Sequence, residues 1–150
     1  MKRILIYIGI LLVLWFVPVK GADLAQMHPV EVVHIYREGE SVVIETDTED
    51  RGIGVTATQA LTNLKETTSG FIYLDTAQYL LLTRETEEAV EELRPHLKKS
   101  VQLCYGEIGV DLKEVARFLP SHSRLPQLKQ WEVGGDLPYL TTFEKRLKMS

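Results

Sequence analysis

The chain has 150 residues, enough for one domain of ordinary size, and its 17 basic and 21 acidic side chains give a formal net charge of −4. The first 21 residues hold three of the basic side chains and no acidic one, so the remainder carries a formal charge of −7. This balance argues against nucleic-acid binding, which needs clustered Lys and Arg, and against a broad electrostatic attachment to anionic lipid. The basic residues Lys145, Arg146 and Lys148 are a local exception that we interpret as a solvated end.

The single cysteine, Cys104, excludes an intramolecular disulfide and any zinc site built from several thiolates. It lies in an apolar run at residues 101–105, which predicts a strand. Because a free cysteine usually behaves as a small hydrophobe, we predict a buried, unreactive thiol. A reactive thiol or an intermolecular link is the alternative.

The N-terminal segment has the features of a signal peptide. Lys2 and Arg3 precede an unbroken apolar run at residues 4–17, and a candidate cleavage site lies between Gly21 and Ala22. The run is shorter than the ~20 residues needed to span a bilayer. This favours cleavage of the segment, although retention as a membrane anchor is the alternative. The positive charges at the start predict that the rest of the chain is exported, either to the outer face of the cytoplasmic membrane or as a secreted protein.

The rest of the chain alternates between β-rich and helical patterns. Residues 29–36 and 41–46 surround a short Gly-containing turn and predict a hairpin, followed by a polar loop at 47–52. Further strands are predicted at residues 71–74, 79–83, 101–105 and 128–133.

Three amphipathic helices are predicted between these strands. The first begins with a capping box of Thr56 and Gln59, the second ends near Leu93 before a proline, and the third begins at Asp111. Each has an apolar stripe, and the stripes are Ala57, Ala60, Leu61 and Leu64; Ala89, Val90, Leu93 and Leu97; and Leu112, Val115, Ala116 and Leu119.

Strands that alternate with helices predict an α/β fold, here a small mixed sheet covered by about three helices. The chain is thus divided into a signal peptide or membrane anchor at residues 1–21, one mixed α/β domain at 22–133 and a loose C-terminal tail at 134–150. The tail is placed after the break at Gly134 and Gly135.

The sequence contains no complete motif for metal binding, nucleotide binding or nucleophilic catalysis. Asp47, Glu49 and Gly52 match part of a calcium-binding loop, but Arg51 and Thr58 occupy positions that need oxygen ligands. No phosphate-binding loop, dinucleotide fingerprint or nucleophile elbow is present, and Gly52 and its neighbour Gly54 are interpreted as permissive backbone before a helix. We therefore predict no catalytic residue and no cofactor.

The four histidines lie at residues 28, 34, 96 and 122, and none is spaced from another as metal ligands on one helical face. His34 falls in a predicted strand, where a hydrogen-bonded structural histidine is the expected role. We therefore predict no metal site.

Residues 54–64 (GVTATQALTNL) and 71–82 (FIYLDTAQYLLL) resemble a segment of the spore germinant receptor C-subunit lipoproteins. The likeness covers roughly residues 30–119 and is one of pattern and order. It implies a domain similar to the N-terminal module of that family, from a spore-forming bacterium and acting by contact with other proteins. The sequence departs from the family in having no lipid-accepting cysteine and in having Thr76-Ala77-Gln78 in place of a histidine-containing strand signature. Family members are also longer, and we do not expect their further domains here.

These observations favour an exported, non-catalytic protein-interaction domain associated with sporulation or spore germination, with membrane or spore proteins as partners. The binding surface is not defined by the sequence, but Trp131 and Tyr139 are candidates, because aromatic residues are enriched in binding hot spots. Two alternatives are a solute- or peptide-binding module that uses an apolar sheet edge, and a secreted hydrolase that pairs His122 with Asp111 or Glu114.

Overall fold

A computed structural model describes residues 2–16, 27–121, 125–143 and 146–150. Within these ranges there are four α-helices: α1 (Lys2–Phe16), α2 (Ala57–Thr67), α3 (Glu87–Leu93) and α4 (Leu112–Phe118). The strands in the same ranges are β1 (Met27–Pro29), β2 (Val32–Glu38), β3 (Ser41–Thr46), β4 (Arg51–Gly54), β5 (Phe71–Tyr73), β6 (Tyr79–Leu82), β7 (Gln102–Gly106), β8 (Tyr139–Phe143) and β9 (Arg146–Met149).

Seven strands form one mixed sheet in the order β4-β3-β2-β6-β7-β8-β9. The central strands β2, β6, β7 and β8 are parallel to one another, and the outer pairs β2–β3, β3–β4 and β8–β9 are antiparallel. A separate pair of short strands, β1 and β5, runs parallel. The chain is therefore a mixed α/β fold, as the alternation of patterns predicts.

Helices cover the sheet on both faces. Because side chains alternate along a strand, Ile35 and Leu82 point to the face covered by α2 and α3, while Leu81 points to the face covered by α4. The first core contains the predicted stripes of α2 and α3, namely Ala57, Ala60, Leu61, Leu64, Ala89, Val90, Leu93 and Leu97. The second contains Leu112, Val115 and Leu119 of the third predicted stripe together with Cys104, and the remaining stripe residue, Ala116, is half-buried against it. Both sets confirm the apolar faces expected from helical spacing.

Helix α2 begins where the capping pattern predicts. The Thr56 hydroxyl accepts a hydrogen bond from the Gln59 backbone N–H at 3.2 Å. The Gln59 side chain accepts from the Val55 N–H at 3.1 Å, one residue earlier than in a standard capping box.

Strand β4 forms one edge of the sheet. Its residues lie where the sequence predicts a polar loop followed by a glycine-containing segment. Gly52 and Gly54 pair with β3 and lie directly under α2, so they serve close packing rather than a flexible lead into the helix. The Ile53 N–H donates to Asn63 Oδ1 at 3.0 Å, so α2 also covers part of the outer backbone of this edge.

The prediction of a strand at residues 128–133 is wrong. Only Gln127 forms a bridge with β7, and the next residues form a turn in which the Gln130 and Trp131 N–H groups both donate to the Gln127 carbonyl. The Leu128 side chain is buried in the core beside α3, which accounts for its apolar character without a strand.

The C-terminal residues 134–150 carry β8 and β9, in place of the predicted loose tail. Leu140 and Leu147 are buried in the core beneath α4, and Tyr105 and Gly106 of β7 pair with the start of β8. These few apolar side chains gain their stabilisation from a strand that is distant in sequence, which a local pattern does not reveal.

Helix α1 exposes the apolar side chains that its sequence contains. Those described from Ile4 to Leu12 are between 51% and 70% exposed, apart from the intervening glycine. Within the ranges described, no helix combines the length and apolar character required to span a bilayer. The candidate cleavage site at Gly21 and Ala22 lies outside the described residues.

Candidate functional site

The carboxyl ends of β6 and β7 form the best-defined concentration of polar and aromatic side chains. In open α/β sheets this edge is where ligands generally bind. Arg84 follows β6, Glu87 begins α3, Tyr105 lies near the end of β7, and Tyr139 begins β8 directly opposite Tyr105. We call these four residues the carboxyl-edge cluster.

Arg84 contacts both tyrosines of the cluster. The Arg84 Nε donates to the Tyr139 hydroxyl at 2.6 Å. The guanidinium carbon lies 5.7 Å from the centroid of each ring, and the ring centroids of Tyr105 and Tyr139 are 4.8 Å apart. These distances allow cation–π attraction to both rings, so the position of the guanidinium is defined by three contacts.

Glu87 connects Tyr105 to the turn at Gly134. Its carboxylate accepts a hydrogen bond from the Tyr105 hydroxyl and another from the Gly134 N–H at 2.8 Å. Gly134 has φ of 87°, a left-handed conformation that suits glycine. Burial and the bond to Glu87 raise the pKa of Tyr105 to about 12. At neutral pH this phenol therefore stays protonated and acts as a hydrogen-bond donor.

The cluster is buried on the inside and accessible on the outside. Tyr105 is buried, whereas Arg84 is exposed and Tyr139 is 38% exposed. Val133, next to Gly134, is also exposed, and Arg37 at the end of β2 reaches the Glu85 carbonyl. The edge therefore presents a tyrosine ring and guanidinium groups on an otherwise acidic domain.

The two aromatic residues singled out by sequence have different positions. Tyr139 is the exposed part of the cluster, as described above. Trp131 is only 4% exposed, its indole N–H donates to the Gly135 carbonyl at 3.2 Å, and its own carbonyl accepts from Arg94. Trp131 is therefore a core residue and is not available as an exposed contact residue.

His34 lies on the α4 side of β2 and is fully buried. Neither ring nitrogen makes a hydrogen bond of good geometry in the described structure, and the Gly106 backbone is the polar group that acts on the ring, so the expected hydrogen-bonded role is not shown. Burial lowers the pKa of His34 to about 4, an effect that the nearby Gly106 backbone partly offsets. The imidazole is therefore neutral at physiological pH.

Cys104 is buried without a disulfide, as predicted. Burial raises the pKa of its thiol to about 12, which disfavours the reactive thiolate. Asp111 accepts hydrogen bonds from the Lys113 and Glu114 N–H groups and so serves as the N-cap of α4. The hypothetical catalytic partner of Asp111, His122, lies outside the described residues.

The acidic loop after β3 is engaged with the backbone. Asp47 Oδ1 accepts from the Glu31 and Val32 N–H groups at 3.0 and 3.2 Å, which fastens the loop to the start of β2. Among the residues described, no three His, Cys, Asp or Glu side chains are grouped as metal ligands would be.

No protein-family model, curated protein or solved structure matches the chain. The candidate site is therefore defined by its geometry alone. It consists of an exposed tyrosine ring, a guanidinium that donates to the hydroxyl of this tyrosine, and a carboxylate that accepts from the second tyrosine. Arg84, Glu87 and Tyr105 were not found by sequence reasoning. The one available signal was the position of Arg84 and Tyr105 at the ends of two predicted strands.

Proposed function

We propose that this chain is an exported, non-catalytic protein-interaction domain associated with sporulation or spore germination. It acts at the outer face of the cytoplasmic membrane or as a secreted protein, and its partners are other membrane or spore proteins. The basic and apolar N-terminal residues support export. The resemblance of residues 54–64 and 71–82 to the germinant receptor C-subunit lipoproteins supports the link to spores.

The observation that carries a binding role is the contact between Arg84 and Tyr139 at the carboxyl edge. Tyrosine and arginine are the residue types, with tryptophan, that most often dominate binding energy at protein interfaces. Each of these two side chains orders the other before a partner arrives, which reduces the entropy lost on binding. Tyr105 and Glu87 hold the pair from beneath, as expected of a preformed contact surface.

The same geometry favours recognition over proton transfer. The Tyr105 phenol, with its pKa near 12, is a poor base or acid at neutral pH. The Glu87 carboxylate is already bonded to Tyr105 and Gly134. The group left to meet a partner is the guanidinium of Arg84, which matches a carboxylate beside an apolar or aromatic side chain.

Photo-crosslinking from Val133 tests this surface, because Val133 is 45% exposed and adjoins the Gly134 contact to Glu87. A benzophenone amino acid is placed there in the full chain and activated in sporulating cells. We expect an adduct with one membrane or spore protein, and we expect Arg84→Ala to abolish it. The matched control places the same group at Val55, which is 69% exposed and precedes α2. Identical adducts from both positions, or an adduct that Arg84→Ala leaves unchanged, would contradict the proposed surface.

Export is tested separately with reporters at the C-terminus. Alkaline phosphatase, which is active only outside the cytoplasm, is expected to be active when fused there. A green fluorescent protein fused at the same position and exported unfolded is expected to be dark. Fluorescence confined to the cytosol, with inactive phosphatase, would overturn export and with it the proposed location of the partners.

A further inference from the structure

The described part of the domain begins at a short strand that follows the N-terminal helix in the chain. Strand β1 pairs in parallel with β5, with Met27 opposite Phe71 and Pro29 opposite Tyr73. Ten residues separate the end of α1 from the start of β1, and ten residues of chain extend over at most about 35 Å. Strand β1 is therefore the first described strand after the apolar helix, and β5 lies beside it by pairing.

This pair presents two aromatic side chains to the outside. Phe71 is 57% exposed and Tyr73 is 36% exposed, whereas Ile72 between them packs against the core. Because alternate side chains of a strand share a face, Phe71 and Tyr73 point to the same side. We call these two residues the amino-edge face, because β5 leads into the amino end of β6.

We infer that the amino-edge face lies against a lipid bilayer, with Phe71 and Tyr73 in the headgroup region. The inference rests on the proposed export of the chain and adds that α1 is retained as the anchor. Helix α1 exposes apolar side chains from Ile4 to Leu12, and a lipid phase covers such a surface. Once α1 is inserted, the ten intervening residues tether β1, and with it Phe71, within about 35 Å of the end of the helix.

The residue types fit this occupant. Aromatic residues are enriched where hydrocarbon meets water, because the ring is apolar and the tyrosine hydroxyl can hydrogen bond. Tyr73 also lines a hollow of about 240 Å³ together with Lys65, His96 and the carboxylate Asp75. Lys65 is exposed, so its ammonium group can reach a lipid phosphate. The contact is led by aromatic rings and needs no broad basic surface, in agreement with the acidic composition of the domain.

The carboxyl-edge cluster lies at the other end of the parallel strands. Strand β2 follows β1 after two residues and ends near Arg37, which contacts the Glu85 carbonyl beside Arg84. A domain seated on the amino-edge face therefore presents Arg84 and Tyr139 away from the membrane, where a partner can reach them.

Fluorescence quenching by brominated lipid tests the inference on the full chain. The chain is reconstituted into vesicles of phosphatidylethanolamine and phosphatidylglycerol, with or without bromine on the acyl chains. In Phe71→Trp, the emission gained over wild type is expected to be quenched by the brominated lipid and shifted to the blue. The matched control is Ile108→Trp in the turn after β7, because Ile108 is 60% exposed at the opposite edge and its added emission is expected to stay unquenched.

Tryptophan in the wild-type chain separates the two possible failures. Trp15 belongs to α1 and reports whether the anchor is inserted, while Trp131 is buried in the domain. If wild-type emission is quenched but the tryptophans at 71 and 108 respond alike, the amino-edge face does not dock and the proposed function is untouched. If wild-type emission is not quenched at all, the retained anchor and the docked face are both overturned, while a secreted interaction domain still stands.

Discussion

Gly52 and Leu64 are in such close contact that a β-carbon added to Gly52 would lie 2.5 Å from the Cβ of Leu64. The same added atom would lie 2.2 Å from the Ala60 carbonyl oxygen. Glycine is needed here because a helix lies directly on the strand, with no room for a side chain between them. The contact fixes α2 over β4, the edge strand of the sheet.

Replacing Gly52 by alanine is expected to lower stability. The methyl group would meet backbone atoms, so α2 has to move away from β4 at a cost of roughly 1–3 kcal/mol, typical of an overpacked core. Urea unfolding followed by Trp131 fluorescence measures the change. The control is Gly39→Asn, because a Cβ at Gly39 meets nothing within 4 Å and asparagine tolerates the φ of 63° found there. Equal midpoints for both variants would refute the close-packing explanation.

His34 is expected to make stability depend on pH. Its pKa is lowered from 6.5 to about 4 in the folded protein, so the unfolded chain binds the proton first as the pH falls. The contribution of the neutral imidazole is complete above pH ~6.5 and is lost as the pH falls toward ~4, by roughly 3 kcal/mol in total.

The His34→Phe variant isolates this contribution from the many carboxylates. The groups that face His34 are the Tyr36 ring at 5.0 Å and Glu45, its register partner on β3, while α4 contributes apolar residues such as Val115. Unfolding in urea at a series of pH values should show a smaller loss of stability on acidification for His34→Phe than for wild type. Parallel curves for the two proteins would exclude His34 as the source.

Cys104 is expected to resist thiol reagents while the domain is folded. Its side chain is fully buried and its pKa is raised to about 12, so little thiolate is present at pH ~8. Mass spectrometry after treatment with iodoacetamide should show labelling only when urea is added. Rapid labelling without denaturant would mean that the strand β7 opens readily.

Tyr139→Phe is expected to separate binding from folding. The variant keeps the ring against Tyr105 and removes the hydroxyl that Arg84 contacts at 2.6 Å. Because both partners are accessible, the free energy of unfolding should change by less than ~1 kcal/mol. The cross-link from Val133 should nevertheless decrease, whereas Tyr73→Phe at the opposite edge should leave it intact. A similar decrease in both variants would count against a contact surface centred on Tyr139.

A chain truncated after residue 133 is expected not to fold. That boundary was predicted from the Gly134-Gly135 break, but it removes β8 and β9 and takes Leu140 and Leu147 out of the core beneath α4. Burial of a leucine side chain contributes about 1.5–3 kcal/mol, so the loss of these two is a large part of the stability of a small domain. Circular dichroism of the truncated and full chains measures this directly, and a cooperative thermal transition in the truncated chain would show that the boundary is sound.

The sequence predicts the elements whose stabilising contacts are local and periodic. The stripe from Ala57 to Leu64 specifies α2, and the strand β3 has the predicted bounds Ser41–Thr46. It does not predict β8, because Leu140 finds its neighbours on β7 more than thirty residues earlier. The burial of Trp131 could not be predicted for the same reason, because it depends on contacts with α3 and the turn around Gly135.

The candidate site is harder still to predict, since its four residues are brought together only by the order of the strands. Tyr139 is identified as an aromatic residue, but nothing local connects it with Arg84, which is 55 positions away. His34 illustrates the opposite case. Its burial follows from its position in an apolar strand, but the lack of hydrogen-bond partners is decided by the residues across the sheet and on α4.

Strand β2 runs between the two proposed contact surfaces, and its length sets how far apart they are. Seven extended residues cover about 23 Å. With the aromatic pair of β5 at the lipid surface, the domain would act as a rigid spacer that holds Tyr139 at a fixed height above the bilayer. A partner anchored in the same membrane would then need its own contact residues at a matching height above the bilayer. The height would therefore distinguish between partners whose contact residues are chemically alike.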